Sequence, residues 1–314
     1  MTERSTLAPS LPDGFAGARP AQPRPIRAIR SLTRRLYVRG FPRLLWGARR
    51  LLAERDAAYE VTPGAYLWLD RDDYFYWMMV WGYYGQELRL IVERTLGPGD
   101  VFVDVGANVG FFSMIAAARV GASGRVLAID ADPRALAQLE RNVRLNGRET
   151  ITILPVAASD RAGTLRFTIA EQLGWSTAVA DFPHRPAIDT VTVPARPLDE
   201  IVAEELPGGR AVRLVKIDVE GHEASVLRGA RELIAARRTT FIVESNYLGL
   251  AAQGFTVADL VAPFAEHGYA VYWIGERHGF VSRPRVDLIP LTDPSAYREI
   301  NGDILAVPPG ARVP

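Results

Sequence analysis

From residue 101 onward, short apolar runs alternate with longer runs in which apolar residues recur every three or four positions. Short apolar runs are typical of buried strands, and the longer periodicity is typical of amphipathic helices. The predicted strands cover residues 101–105, 125–130, 151–158, 164–169, 189–198, 213–221, 240–245, 269–274 and 302–307. Helices are predicted over residues 111–120, 133–147, 198–205, 222–236 and 257–267. Strands that alternate with helices predict an α/β fold, with a Rossmann-like, mostly parallel sheet and helices on both faces.

The first hundred residues have a different pattern, which divides the chain into three parts. Residues 1–25 are rich in Pro, Ala, Gly and Arg and lack apolar periodicity, so we expect them to be disordered. Residues 26–95 form a predicted extension, with basic amphipathic helices over 26–58, interrupted at Pro42, and an aromatic-rich stretch after them. That stretch fits either the wall of a substrate pocket or a lid over the core. Residues 96–314 form the predicted α/β domain.

Positive charge is concentrated near the N-terminus, although the formal net charge of the whole chain is only +1. Residues 1–55 contain twelve arginines against three acidic residues, so the rest of the chain is net negative. The basic helices have two interpretations. They contact an anionic membrane surface or an acidic lipid-linked substrate, or, more commonly for such helices, they are solvated and packed on the main domain. The acidic body argues against a nucleic-acid partner.

The sequence contains no cysteine, which excludes disulfides, thiolate metal sites and a cysteine nucleophile. Its apolar runs are too short for a bilayer-spanning helix, and prolines and arginines interrupt the apolar stretches near the N-terminus. These features favour a reducing compartment, and we expect a cytoplasmic location without a signal peptide.

The segment VFVDVGANVG, residues 101–110, is the clearest candidate for a cofactor site. Its strand leads through a glycine-rich turn into a helix, and open α/β sheets bind ligands at the carboxyl ends of such strands. Gly106 permits a tight turn, and Gly110 lets the first helical turn lie close to a ligand. Asp130, twenty residues beyond Gly110, ends the next predicted strand and can accept the hydroxyls of a ribose.

This pattern alone leaves the cofactor open, because NAD-dependent enzymes share a glycine turn and a ribose-binding acid. The spacing here is G-x-N-x-G, which differs from the dinucleotide pattern G-x-G-x-x-G. Asp104 would repel a pyrophosphate but suit the ammonium group of a methionine moiety, although it could also simply cap the turn. Both details favour S-adenosylmethionine over a dinucleotide.

A second group of polar residues occurs in the segment KIDVEGHE, at the end of a later strand. Asp218, Glu220 and His222 should lie at the same sheet edge as the cofactor turn, and Glu244 ends the adjacent strand. An acid cluster there can take a proton from an acceptor hydroxyl or hold a divalent cation. We expect Asp218 or His222 to be the general base and Lys216 to tune the carboxylates. The alternative is a buried ion-pair network that only shapes the turn.

Six segments between residues 85 and 245 occur in an order typical of one family: GQELRLIVERTLGPGDVFVDVGANVGFFS, VLAIDADP, NVRLNG, ILPVAASDRAGTLRF, LVKIDVEGHEASVLRGA and FIVES. Through them the chain resembles the FkbM family of methyltransferases. The resemblance implies a class I methyltransferase fold, with a seven-stranded sheet that has one antiparallel strand. It also implies S-adenosylmethionine as the methyl donor and O-methylation as the usual chemistry.

The resemblance further implies which residues contact the cofactor. Those in the turn are Asp104, Gly106, Ala107, Asn108 and Gly110. Asp130 is the implied ribose acid, where many members have Glu, and Ala131 departs from the usual Pro. Ala158 and Ser159 match positions near the adenine, and Glu87 matches an acid that helps to close the methionine end.

We therefore expect an S-adenosylmethionine-dependent methyltransferase that O-methylates a hydroxyl of a sugar, a glycolipid or a polyketide-type metabolite. The acceptor class rests on the resemblance alone, since one fold serves many substrates. Two other classes compete, namely an NAD-dependent oxidoreductase and a non-catalytic module that keeps the fold for binding. A divalent cation held by Asp218, Glu220 and Glu244 is compatible with the sequence, but no dense ligand spacing demands one.

Overall fold

The computed structural model describes residues 24–33, 35–52, 56–180, 182, 186–275 and 281–314. The strands are β1 (Tyr37–Val38), β2 (Asp56–Thr62), β3 (Ala65–Asp70), β4 (Val101–Val105), β5 (Arg125–Asp130), β6 (Ile151–Pro155), β7 (Ala157–Ser159), β8 (Gly163–Ala170), β9 (Ala187–Pro197), β10 (Leu214–Ile217), β11 (Thr240–Ser245), β12 (Ala270–Gly275), β13 (Val281–Ser282), β14 (Asp287–Pro290) and β15 (Gly302–Val307). The helices are α1 (Arg24–Thr33), α2 (Phe41–Leu52), α3 (Tyr74–Trp81), α4 (Gln86–Thr95), α5 (Phe111–Val120), α6 (Pro133–Asn146), α7 (Leu198–Glu205), α8 (Glu223–Arg228), α9 (Arg231–Ala235), α10 (Tyr247–Ala252) and α11 (Val257–Glu266), with a 3-10 turn at Pro294–Tyr297. None of the described helices is long and apolar enough to cross a bilayer.

Among the described residues, eight strands form the central sheet in the order β14-β12-β15-β11-β10-β4-β5-β6. The five strands from β11 to β6 in this order are parallel, and β15 lies antiparallel between β11 and β12. The predicted Rossmann-like class I fold is confirmed. The expected count of seven strands was one short, because β14 extends the edge antiparallel to β12. A four-residue edge strand that ends at Pro290 has too little periodicity to be recognised.

The strand β4 is buried on both faces, and its residues alternate between two hydrophobic cores. Val101, Val103 and Val105 pack with α7, α8 and α11, whereas Phe102 packs on the other face with α4 and α5. Burial on both sides explains why the run is apolar almost throughout. Side chains alternate along a strand, so Asp104 points toward the same core as Phe102.

Helix formation stops at Gly229, so the single helix predicted over 222–236 is instead two short helices, α8 and α9. A Cβ atom on Gly229 would lie closer than 3.0 Å to the carbonyl oxygen of Ser159. The chain therefore approaches β7 where only glycine fits. The carboxylate of Asp199 accepts the backbone N–H groups of Glu232 and Leu233, at 2.8 and 3.0 Å, and so caps α9.

The residues before β4 pack against the sheet through the core that contains Phe102. The segment 26–58, for which one or two basic helices were predicted, contains α2 and most of α1. Pro42 does not interrupt α2 but lies in its first turn, where proline is tolerated. The indole N–H of Trp77 in α3 donates to the carbonyl oxygen of Leu45 in α2 at 3.0 Å. The predicted disordered segment 1–25 lies outside the described residues, except that α1 begins at Arg24.

The hairpin of β2 and β3 was not predicted, and α6 holds it in place. The backbone N–H groups of Tyr66 and Trp68 donate to the side-chain oxygens of Asn146 and Asn142, both at 2.7 Å. The Asn146 amide returns a bond to the Tyr66 carbonyl at 2.6 Å. The edge of this hairpin is thus paired with two asparagines of the α/β domain, as buried backbone groups require.

Candidate active site

A cavity of about 420 Å³ opens at the carboxyl ends of β4, β5, β10 and β11. This is the edge at which open α/β sheets bind ligands, and the volume lies in the range typical of small-molecule pockets. The lining consists of the turn after β4, an apolar compartment beyond β5, a polar group after β10 and β11, and an aromatic wall.

The turn after β4 lies directly against the end of β10. Gly106 has a φ of +79°, and a Cβ atom there would lie closer than 3.0 Å to the carbonyl oxygen of Asp218. Only glycine meets both conditions without strain. Asn108 also has a positive φ, and its backbone N–H donates to Asp130 Oδ2 at 2.7 Å. The turn is therefore fixed by β10 on one side and by β5 on the other.

Asp130 ends β5 and lines the cavity. Its Oδ2 accepts the N–H of Asn108, and its Oδ1 accepts the N–H of Asp132 at 2.9 Å. A carboxylate offers about four acceptor sites, so sites remain for two ribose hydroxyls. Burial raises the pKa of Asp130 to about 6, although the N–H donors of Asp132 and Asn108 oppose this shift.

An apolar compartment lies next to Asp130, lined by Ala131, Val156, Ala157, Ala158 and Phe167. The loop that carries Trp175 borders it, and the neighbouring Ser176 hydroxyl donates to Asp132 Oδ2 at 2.7 Å. Apolar walls with a few fixed polar groups suit a flat heterocycle.

Lys216 is the buried centre of the polar half of the cavity. Its Nζ lies 2.9 Å from Asp218 Oδ2, 3.9 Å from Asp104 Oδ1 and 5.0 Å from the ring centroid of Phe112. Lys216 and Asp104 are paired in the parallel register of β10 and β4, which brings them to the same face. Burial opposes the charge of Lys216, but the carboxylates of Asp218 and Asp104 raise its pKa above the ordinary value. Lys216 is therefore an ammonium at neutral pH.

Asp218, Glu220 and Glu244 each bring a carboxylate oxygen within 4.8 Å of the others. The Asn246 amide donates to Glu220 Oε2 at 2.9 Å, and Glu220 has a φ of +55°, which is uncommon for a residue with a side chain. Burial, and then the charges of Asp218 and Glu220, raise the pKa of Glu244 well above its ordinary value. Such a cluster can hold and move a proton, or it can hold a divalent cation.

His222 lines the cavity from the start of α8. Its Nε2 lies 3.0 Å from the Ser159 hydroxyl, and burial lowers the pKa of His222, so the imidazole is neutral at pH 7. Glu223 holds this turn, because its Oε1 accepts the N–H groups of Val219 and Gly221 at 3.1 and 2.9 Å. Burial raises the pKa of Glu223 to about 8.

Aromatic side chains form the wall opposite the cofactor turn. Phe75 and Trp175 both line the cavity and are each 37% exposed, with ring centroids 6.3 Å apart, so they lie at its mouth. Tyr84 packs edge-on against Phe111 at 5.3 Å. Burial, and then the charge of Asp218, raise the pKa of Tyr84, so its hydroxyl stays protonated.

The aromatic stretch of the extension thus divides between core and wall. Trp77 and Trp81 are fully buried in the hydrophobic core, whereas Tyr76 and Tyr84 line the cavity. Within the described residues, this agrees with the predicted pocket wall more closely than with a separate lid.

Most of the predicted site residues are brought together in this cavity. Those that line it are Gly106, Ala107, Asn108, Asp130, Ala158, Lys216, Asp218, Glu220, His222 and Glu244.

Asp104 does not line the cavity, contrary to the expectation that it meets the methionine ammonium. It is 1% exposed, and the Ser113 hydroxyl donates to its Oδ2 at 2.6 Å. The cation beside Asp104 is Lys216, which belongs to the protein itself. Burial raises the pKa of Asp104, while Lys216 lowers it. In this structure Asp104 contacts Ser113 and Lys216 and does not reach the cavity lining.

Three further predicted residues lie behind or beside the lining. Gly110 approaches Leu139, and a Cβ atom there would lie closer than 3.0 Å to that side chain. Ser159 lies behind His222. Glu87 lines a separate cavity of about 200 Å³. A sequence match places these residues near the turn, but it does not fix which side of the turn each side chain occupies.

Several lining residues were not predicted, among them Phe75, Phe167, Asn246 and Asn301. Asn246 directly follows the strand predicted over 240–245, and this position alone could have identified it. Asn301 precedes β15, whose antiparallel direction brings its start to the same edge as the ends of the parallel strands. Only the strand order shows this.

The sequence model of the family described as Methyltransferase FkbM domain matches residues 104–271, more than half of the chain. The chain belongs to the FkbM family of methyltransferases. Membership of this family supports S-adenosylmethionine as the methyl donor. Family membership favours methyl transfer over the NAD-dependent alternative.

The curated relatives match a shorter segment of this FkbM methyltransferase. A ribosomal protein L11 methyltransferase of Bacillus cereus (strain G9842) is 50% identical over 60 residues, and one of Bacillus anthracis is 48% identical over 60 residues. Each match covers 19% of this chain and 19% of the relative. The match thus spans about a fifth of the length of these relatives.

Solved structures with a similar arrangement include three methyltransferases. The FkbM methyltransferase of Methylobacillus flagellatus KT is 18% identical, covering 84% of this chain and 59% of that one, with a TM-score of 0.39. An S-adenosylmethionine-dependent O-methyltransferase of Thermotoga maritima is 14% identical, covering 74% and 68%, with a TM-score of 0.39. A putative methyltransferase of Streptococcus mutans, in complex with SAH, is 8% identical, covering 70% and 94%, with a TM-score of 0.39.

Proposed function

We propose that this FkbM methyltransferase methylates a hydroxyl oxygen of a sugar, a glycolipid or a polyketide-type metabolite. The observation that carries the proposal is the cluster of Asp218, Glu220 and Glu244, which faces the cofactor turn within one cavity. A hydroxyl must lose its proton when it is methylated, and a carboxylate cluster can receive it.

The cavity fits S-adenosylmethionine on three grounds. Asp130 retains acceptor sites for the ribose hydroxyls, and the compartment around Ala158 and Phe167 suits the adenine. The acid cluster suits a positively charged group nearby. The turn residues Gly106 and Asn108 would lie along the cofactor. When bound, S-adenosylmethionine supplies a methyl group attached to a positively charged sulfur.

Asp218 is the proposed general base. Its Oδ2 is held by Lys216, which leaves other acceptor sites of the carboxylate for the proton of an acceptor hydroxyl. Accepting that proton frees the electron pair on the oxygen for methyl transfer. Lys216, which also lies 3.9 Å from Asp104 Oδ1, is a positioning residue that holds the Asp218 carboxylate in place. Glu244, whose pKa is raised by burial, lies in the same acid cluster as Asp218.

His222 is the second candidate base. Its imidazole is neutral at pH 7 and therefore able to accept a proton. Its Nε2 is already engaged with Ser159, whereas Asp218 lies within the acid cluster, and for this reason we prefer Asp218.

A divalent cation at Asp218, Glu220 and Glu244 is a second arrangement that the oxygen cluster supports. The Lys216 ammonium, 2.9 Å from Asp218, already supplies one positive charge there and weakens the case for another. Methyl transfer that is lost on chelation and restored only by Mg²⁺ or Mn²⁺ would favour the cation.

Aromatic rings beside carboxylates and amides support a polyhydroxylated acceptor. Sugar faces stack on rings such as Phe75 and Trp175, while Glu220 and Asn246 offer hydrogen-bonding groups to hydroxyls. Holding the acceptor oxygen in line with the methyl group supplies much of the rate enhancement.

The test is transfer of a labelled methyl group to cell extract separated into lipids, polysaccharides and small metabolites. We expect the Asp218→Asn variant to lose roughly 10²–10⁴-fold in kcat, whereas Asp189→Asn, an exposed change in β9, should keep full activity. Unchanged transfer by an Asp218→Asn, His222→Ala double variant would overturn the assignment of the base. A protein that binds no S-adenosyl ligand would instead support a non-catalytic module.

A further inference from the structure

The helix α2 exposes apolar side chains on its outer face, which we define as Arg43, Leu44, Gly47, Arg50 and Leu51. Leu44 is 64% exposed and Leu51 is 91% exposed, while Leu45 on the opposite side is 2% exposed. A helix that only packs on a domain buries its leucines and exposes polar residues. The packed-helix interpretation therefore accounts for one side of α2 and leaves the outer face unexplained.

The charged residues of α1, α2 and the segment between them are all arginines. Residues 24–52 contain nine arginines and no acidic residue. Arg49 pairs with Asp72 at 2.9 Å, but Arg50 lies 3.9 Å from the same carboxylate with 72% of its side chain exposed. Arg43 is also exposed. Apolar side chains among solvated arginines are the composition of helices that lie in a membrane interface.

A series of ring contacts connects α2 to the mouth of the cavity. Trp46 on α2 contacts Tyr74 at 5.3 Å between ring centroids, and Tyr74 contacts Phe75 at 6.0 Å. Phe75 and Trp175 form the mouth. Tyr74 is itself 43% exposed, so an amphipathic aromatic strip lies between the outer face and the opening. Aromatic rings of this kind favour the level of lipid headgroups.

We propose that the outer face of α2 docks this protein on an anionic membrane surface. Leu44 and Leu51 enter the acyl boundary, and Arg43 and Arg50 contact headgroup phosphates. The mouth at Phe75 then lies near the bilayer surface, where a lipid-linked acceptor would reach it. Docking itself is independent of the proposed methyl transfer; only the lipid-linked acceptor rests on it. Exposed leucines favour a lipid surface over RNA, because phosphate binding alone does not need them.

The experiment is co-sedimentation of the full chain with vesicles of phosphatidylcholine, with and without phosphatidylglycerol. We expect binding only to the anionic vesicles, weakened by salt. Arg43→Gln and Arg50→Gln should each weaken binding about fivefold. Leu44→Ser with Leu51→Ser should weaken it at least about tenfold. Ile188→Ser, an apolar change in β9 at a residue that is 58% exposed, should leave it unchanged.

The variants lie on the surface, so folding is checked by their unfolding midpoints and by methyl transfer to a water-soluble acceptor, both of which should match the wild type. Equal binding by the leucine double variant, or no binding to anionic vesicles, would overturn the proposal. So would binding to RNA that requires the same arginines and is indifferent to the leucines. Loss of methyl transfer with intact vesicle binding would count against the proposed function alone.

Discussion

Replacing Asp218 by Asn should lower the pKa of Lys216 by a measurable amount. Asp218 lies 2.9 Å from the Lys216 ammonium, and the carboxylate that remains, Asp104, lies 3.9 Å away. An adjacent opposite charge shifts a pKa by about 1–3 units, which corresponds to about 1.4–4 kcal/mol. The Lys216 side chain is 3% exposed, so water cannot take over the role of the lost partner. With burial then less opposed, the pKa of Lys216 should fall toward the ordinary lysine value.

The assay uses the fact that Lys216 is the only lysine in the chain. Protein labelled with ¹³C at the lysine ε-carbon gives one side-chain NMR resonance, whose shift reports the charge. In the wild type we expect no titration through the ordinary lysine pKa of about 10.4. In Asp218→Asn the resonance should titrate at least about one unit lower than in the wild type. Asp104→Asn should lower the pKa less, because Asp104 is farther away.

The exposed Asp293→Asn serves as the control and should leave the Lys216 resonance unchanged. If Asp218→Asn titrates at the wild-type pH, the ion pair does not hold the Lys216 charge and the reasoning is refuted. The upward shift of the Lys216 pKa also predicts how stability changes with pH. Because the folded pKa of Lys216 is raised, its stabilising contribution is complete below about pH 10.4 and is lost as pH rises through the folded pKa.

Three further predictions concern single positions. The pKa of Asp130 is about 6, and ribose hydroxyls donate to its ionised form. Calorimetry should therefore show that the affinity for S-adenosylhomocysteine falls below about pH 6. Asp130→Asn should bind this ligand weakly at every pH. Glu223 has a pKa of about 8 in the folded protein, so its contribution to the free energy of unfolding should be lost as pH rises from about 4.3 through 8. In urea unfolding, the Glu223→Gln variant should not show this decrease with pH. Gly208→Ala should lower the free energy of unfolding by about 1–2 kcal/mol because of its positive φ. Gly106→Ala should lower it clearly more in the same urea assay, because its Cβ atom would also overlap Asp218. Equal decreases for the two variants would contradict that contact.

The sheet was predictable wherever strands are buried on both faces. The bounds of β4, β5, β11 and β15 agree with their apolar runs, because both sides of each strand must be apolar. The hairpin of β2 and β3 was not predictable in this way. Its edge is satisfied by asparagine side chains of α6, roughly 75 residues further along the chain, and no local pattern records that contact.

The sequence predicted which strand ends form the site, but it did not predict the face of the strand to which each side chain points. Spacing brought Asp218 and Glu244 to one edge, because parallel neighbours end together. The same spacing could not show that Asp104 faces inward, where the register of β4 and β10 places it beside Lys216. Phe75 was missed because nothing local distinguishes a wall residue from the core residues Trp77 and Trp81.

Residues inside and outside the range that the family model matches line the same cavity. The cofactor turn, Asp130 and the acid cluster lie within residues 104–271, whereas α3 and Tyr84, which build the aromatic wall, precede that range. If the aromatic wall meets the acceptor, as proposed, an exchange of that wall leaves the residues of the proposed cofactor site in place. Grafting residues 71–84 from another member of the family is a direct route to altered acceptor choice. Such a chimera must preserve the contact of Tyr84 with Phe111, which joins the grafted segment to α5.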